Sequence, residues 1–162
     1  MTAPFDEYDP MIAIGEASRR LGVSVQTLRL YEKEGLVLPH KTDTGRRMFS
    51  PHDLERLSCV RRMLTQHGLN LKGIRQLMAL IPCWDYRGGF DDDCKRCPVY
   101  SDFIGPCWSV SDVGDKCKDQ ECRRCEVYRL HIKCDRMKEI IHGRRRREML
   151  GQTNLPDIPS EA

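Results

Sequence analysis

At 162 residues, with 40% hydrophobic and 31% charged, the chain is long enough for one ordinary core or two small ones. No apolar run approaches the roughly 20 residues that cross a bilayer, and no charged leader precedes an apolar stretch, so a cytoplasmic protein with no membrane partner is expected. The net charge of +3 is unevenly spread: Met11 to Pro82 holds 12 Lys/Arg against 6 Asp/Glu, whereas Trp84 to Glu121 holds 5 against 9, which places any nucleic acid at the front.

The first element is a short helix beginning at Ile14, with Ile14, Ala17 and Leu21 at helical spacing and Gly22 as its stop. Ser24 caps a second helix with Val25, Leu28 and Tyr31 on one side and Gln26, Arg29 and Lys33 elsewhere. Two short helices joined by a Gly-containing turn read as a helix-turn-helix, whose second helix enters a major groove. Gln26 suits adenine and Arg29 suits guanine, since each forms a bidentate pair with that base. His40 to Ser50, with Thr44-Gly45 and Arg46-Arg47, reads as a hairpin with a basic arm. Ser50-Pro51-His52-Asp53 starts a third helix with the stripe Leu54, Leu57, Val60, Met63 and Leu64. Gly68 ends it, and Asn70 caps a fourth helix that buries Ile74, Leu77 and Met78. Cys59, beside Val60, reads as a small buried residue.

Thr27-Leu28-Arg29-Leu30-Tyr31-Glu32, Gly35-Leu36, Arg47-Met48-Phe49-Ser50 and Asp53-Leu54-Glu55-Arg56-Leu57 together resemble the MerR family of bacterial transcription regulators, over about residues 11 to 81. The heat-shock repressor branch is the most similar, and shares Leu30 where the family commonly has an aromatic. The resemblance implies a winged helix-turn-helix that binds near-palindromic promoter DNA as a homodimer and acts on RNA polymerase. It places Gln26, Thr27, Arg29 and Tyr31 on the recognition helix, and Arg46 and Arg47 in the wing.

Beyond Pro82 the character changes. Eight of the nine cysteines lie between Cys83 and Cys134, and one unit is written twice: Pro82-Cys83-Trp84 leads to Cys94-x-x-Cys97-Pro98-Val99-Tyr100, and Pro106-Cys107-Trp108 leads to Cys122-x-x-Cys125-Glu126-Val127-Tyr128. This segment is too poor in aliphatic residues to order itself by burial, so it is expected to be loop and short turns stapled by metal. Cys83, Cys94, Cys97, Cys107, Cys117, Cys122, Cys125 and Cys134 are the candidate ligands, enough for two four-thiolate sites that spacing alone does not partition. No histidine lies between His67 and His131, which favours zinc or iron–sulfur over hard metals. Cys97-Pro98 and the shielding Trp84 and Trp108 favour an iron–sulfur cluster, of the 4Fe–4S type first. A structural zinc is the alternative, followed by redox disulfides or free thiols. The repeat is similar to cysteine-rich modules with two Cys-Trp dipeptides found on bacterial sensor proteins, which implies sensing.

Val127, Leu130, Cys134, Met137 and Ile141 then form a helical seam, long enough to pair with a copy of itself, with Arg144 to Arg147 at its basic end. The expected architecture is mainly α: a winged helix-turn-helix at 11–81, a loop-rich metal-bound cysteine module at 82–125, a dimerisation helix at 126–150 and a disordered tail at 151–162. No nucleophile and base pair, phosphate loop or acid pair points to an enzyme. The expected function is a promoter-binding regulator that senses redox state or metal through its cysteines.

Overall fold

The computed structural model describes residues 6–101, 105–118 and 121–130. The chain is mainly helical, as expected. It opens with strand β1 (Ile12–Ala13), helix α1 (Ile14–Leu21) and helix α2 (Val25–Lys33). Gly22 closes α1 in the left-handed region at φ 61°, which an L side chain adopts only at a cost, and the turn is fixed by the Ser18 hydroxyl donating to the Val23 carbonyl at 2.5 Å. Ser24 caps α2 by accepting from the Thr27 amide at 3.0 Å. The wing is the hairpin of β2 (His40–Lys41) and β3 (Arg47–Phe49), turning at Gly45, and β3 also pairs antiparallel with β1, giving the order β1-β3-β2.

Helix α3 (Pro51–Thr65) starts on a complete capping box: Ser50 accepts from the Asp53 amide, and the Asp53 carboxylate accepts from the Ser50 amide. It runs through the centre of the molecule, so residues on several of its faces are buried, including Leu57, Val60 and Met63 from the expected stripe. Cys59 is buried at 1% exposure, as the small buried residue that the sequence implied. Asn70 caps α4 (Leu71–Ala79), whose Ile74 and Met78 complete this core. Each such aliphatic side chain contributes about 1.5–3 kcal/mol when fully buried.

The cysteine segment is a chain of short turns, as its composition predicts: α5 (Cys83–Tyr86), α6 (Asp92–Arg96), α7 (Pro98–Ser101), a 3-10 turn (Cys107–Ser109), α8 (Asp115–Lys118), a second 3-10 turn (Cys122–Arg124) and α9 (Glu126–Arg129). Apart from two prolines, Trp108 is the only apolar side chain buried among the described residues of 82–125. Val127 and Tyr128 then join the same core as the front helices. The seam beyond Leu130, Cys134, the basic run and the tail lie outside the described residues. Among the described residues no helix is long and apolar enough to cross a membrane.

Candidate nucleic-acid interface and thiol cluster

Gln26 and Arg29 stand exposed on α2, and Arg46 is exposed in the wing. Thr27 is tied locally, its hydroxyl 2.9 Å from that of Ser24. Tyr31, grouped with the DNA-facing residues on the family pattern, is only 5% exposed and packs in the core, so its ring supports α2 from behind. Arg47 ion-pairs with Glu32 on α2, and Lys41 lies 3.4 Å from the same carboxylate. Glu32 thus holds both wing strands against the recognition helix, which fixes the spacing between two elements that a groove and its flanking phosphates would meet.

The cysteine segment is attached directly behind this surface. The Trp108 indole N–H donates to the Gly35 carbonyl at 2.7 Å, in the turn that follows α2. Gly35 has φ 71°, and a Cβ there would come within 2.9 Å of the Ser109 Cβ, so a glycine lets the Ser109 side chain sit against this turn. The Tyr128 hydroxyl accepts from the Leu38 amide at 2.9 Å and donates to Asp53 at 3.2 Å. Between the rings sits Arg56, fully buried, its guanidinium 3.7 Å from the Tyr128 ring centre and 5.3 Å from that of Trp108, and donating to the Tyr128 carbonyl. Among the described residues its Nε and Nη1 find no hydrogen-bond partner, so the aromatic faces and the Asp53 carboxylate stand in for water around the cation. Burial, chiefly, pushes the Tyr128 hydroxyl up to about 12.

His52, on the other side of α3, is pushed down to about 4 by burial and by the Arg56 cation, and its Nε2 lies 3.3 Å from the Arg129 carbonyl. The Arg129 guanidinium covers the Tyr8 ring at 3.6 Å, and that ring packs on His52. Of these junction residues only Trp108 and Tyr128 stood out in the sequence, as parts of the cysteine repeat with Trp108 as a shield for a cluster, and not as a joint to the front helices. The one available signal was register: Asp53 and Arg56 share the face of α3 with Leu57 and Val60, so a charge pair was bound to be buried with them.

Among the described residues seven cysteine side chains surround two cavities. The larger, about 230 Å³, is lined by Cys83, Cys94, Cys97 and Cys117 together with Trp84 and Asp93. The smaller, about 30 Å³, is lined by Cys107, Cys122 and Cys125, and Cys117 reaches it as well. Arg87 lies on the wall of both, its guanidinium 3.8 Å from the Cys125 sulfur. Local structure explains the gathering: Asp91 caps α6 by accepting from the Cys94 amide at 3.1 Å, and Asp93 accepts from the Asp115 amide at 3.0 Å, which holds α8, carrying Cys117, against α6. Gly114 has to lack a side chain here, since a Cβ would meet Asp93 at 2.7 Å.

Burial first and the neighbouring Cys117, Cys94 and Cys97 second push the Cys83 thiol up to about 11. Cys107 is pushed up further, by burial and then by Cys83, Cys125, Cys117 and Cys122. As placed, no three cysteine, histidine or carboxylate side chains among the described residues converge closely enough to hold a metal ion. The donors are of the right kind for a thiophilic metal and line a common wall, but the sulfurs do not meet at a point.

The description "MerR HTH family regulatory protein" matches residues 12–81. Over 74 residues the chain is 36% identical to the putative heat shock protein HspR of Streptomyces coelicolor, covering 46% of this chain and 49% of that protein. It is 29% identical over 128 residues to the mercuric resistance operon regulatory protein of Bacillus cereus, covering 78% of this chain and 88% of the relative. It is 36% identical over 83 residues to the heavy metal-dependent transcription regulator 2 of Rhizobium meliloti, covering 51% and 54%. The chain therefore spans about half the length of two of these relatives. Residues 12–81 of this chain are a MerR-family helix-turn-helix domain.

Proposed function

We propose that the chain is a promoter-binding transcriptional regulator of the MerR type, working as a homodimer with RNA polymerase, whose cysteine segment is its sensor. The observation that carries this reading is the seating of Trp108 and Tyr128 on Gly35, Leu38, Asp53 and Arg56. Trp108 directly follows Cys107, and Tyr128 lies three residues after Cys125. A change in thiol state therefore acts on the backbone between recognition helix and wing, and promoter affinity in such proteins depends on that spacing. Gln26, Thr27, Arg29, Arg46 and Arg47 form the DNA side, with Tyr31 behind them. Cys83 to Cys125 form the sensing side, and Cys134 is retained as a candidate ligand outside the described residues.

The relatives named for mercury and heavy metals support a thiophilic signal, and the paired thiols fit an iron–sulfur cluster, 4Fe–4S first, that reports redox state. The scarcity of buried apolar side chains in 82–125 favours the second reading, a structural zinc that keeps this segment rigid as a platform for a partner protein.

Arg29→Ala and Cys97→Ser separate the two halves. On an operator selected by the wild-type protein from a random duplex library, Arg29→Ala loses about 10–100-fold in affinity at fixed salt, with metal content unchanged. Cys97→Ser lowers metal content. Retained operator binding in the arginine variant together with lost metal overturns the division of labour.

A further inference from the structure

The two cysteine repeats are alike in sequence and unlike in the space they enclose. Cys83, Cys94 and Cys97 of the first repeat share one cavity of about 230 Å³ with Cys117, which belongs to neither repeat. Cys107, Cys122 and Cys125 of the second repeat, with Cys117 bordering this space too, enclose only about 30 Å³, narrowed by Trp108 and Tyr128 as those rings dock on the front helices, so the two cavities differ in room and not in the number of thiols at their walls. Four thiolates are what a closed tetrahedral site requires, and a cluster of the 4Fe–4S type requires the same number. The first repeat supplies three, and the Asp93 to Asp115 contact delivers the fourth on α8.

We propose that Cys83, Cys94, Cys97 and Cys117 form one four-thiolate centre for a thiophilic metal, and that Cys107, Cys122 and Cys125 stay outside it as a separate thiol set. The inference rests on the sensing role proposed above and gives its metal a ligand set, linked to the thiols beside Trp108 and Tyr128 through Cys117 and Arg87, which line both cavities. The sulfurs line the cavity wall instead of meeting at its centre, so loading turns their side chains inward about χ1 while the Asp91 cap on α6 and the Asp93 to Asp115 contact hold the backbone of α6 and α8. Arg87, on the wall of both cavities, offsets the surplus negative charge that four thiolates leave around a divalent ion.

The test uses the full chain, prepared anaerobically, stripped by a chelator and loaded in two arms: one with Co(II) as the optical stand-in for zinc, the other with ferrous iron and sulfide. Wild type takes up a single Co(II) per chain with strong sulfur-to-cobalt charge transfer, or assembles a brown chromophore in the iron arm; whichever arm succeeds identifies the group. Serine in place of Cys83, Cys94, Cys97 or Cys117 weakens uptake by about 10-fold or more, whereas serine at Cys107, Cys122 or Cys125 leaves it within about twofold.

Cys97→His separates ligation from misfolding. It retains a fourth donor, so uptake persists while charge-transfer intensity falls by about a quarter, as expected when one of four thiolates is replaced. Equal loss at Cys107 or Cys125, or unchanged intensity in the histidine variant, overturns the partition. A wild-type chain that loads in neither arm overturns the metal reading itself.

Discussion

The two repeats make the same tryptophan–tyrosine ring pair and meet different neighbours. In the first, Trp84 and Tyr100 pack edge to face at 5.7 Å and 82°; in the second, Trp108 and Tyr128 do so at 5.1 Å and 90°. Tyr100 is 50% exposed and leans on an equally open Phe90, whereas Tyr128 is 1% exposed. Pro-Cys-Trp and Cys-x-x-Cys-x-Val-Tyr therefore specify a ring pair. They do not specify its use. The second pair is buried because Arg56, Asp53, Leu38 and Gly35 present a cation, an acceptor, a donor and a carbonyl where the rings arrive, and nothing among the described residues does this for the first pair. One copy became the joint to the DNA-binding domain, and the other kept its cavity open.

The largest test of that contrast removes each tyrosine ring. Tyr128→Ala takes away a fully enclosed aromatic and leaves Arg56 without the ring that faces it, so denaturant unfolding loses about 3–5 kcal/mol. Tyr100→Ala removes a half-exposed ring and loses about 1 kcal/mol or less. Equal losses would mean that the first pair is covered in the solution molecule, and the contrast between the repeats would fail.

Most of the front domain was legible from the sequence because its signals are local. Ser24, Ser50 and Asn70 cap the helices they precede, Gly22 stops α1, and Thr44-Gly45 turns the wing, each through a bond or torsion within a few residues. Tyr31 was placed with the readers by family pattern, and its helical phase beside Leu28 takes it inward. The thiol gathering was legible as chemistry, since Cys-x-x-Cys twice over has few other uses. Its division between two cavities was not, because that depends on Asp93 reaching Asp115 across 22 residues. The joint was the least legible part: Trp108 to Gly35 and Tyr128 to Leu38 span 73 and 90 residues, and no local pattern encodes such pairs.

His52 sharpens the comparison through pH, because it belongs to the joint and has no counterpart beside the first repeat. Burial and Arg56 hold its folded value near 4, below the ordinary 6.5. Between those values the unfolded chain binds a proton that the folded chain refuses, so stability is full above about 6.5 and falls as pH drops toward 4. At pH 5 the loss is on the order of 2 kcal/mol relative to neutral pH. His52→Gln flattens that part of the profile. Comparing urea midpoints of the two proteins at pH 5 and pH 7 checks it, and parallel profiles would remove His52 as the cause.

The finest comparison deletes one oxygen from each repeat. Tyr128→Phe keeps the ring over Arg56, but the Leu38 amide loses its acceptor in a part-buried contact and Asp53 loses a donor in a buried one. That costs about 1–3 kcal/mol, mostly for the stranded amide. Leu38 lies between α2 and the wing, so the same deletion also loosens the wing and weakens operator binding. Tyr100→Phe, at a half-exposed residue, stays within about 0.5 kcal/mol of wild type. A double variant carrying Tyr128→Phe and Glu32→Gln decides whether the joint and the wing act together: Glu32 holds Arg47 and Lys41 from the other side. Losses in operator affinity that depart from additivity mean that both contacts hold a single element, whereas simple addition makes the joint a support for the fold and leaves the wing to Glu32.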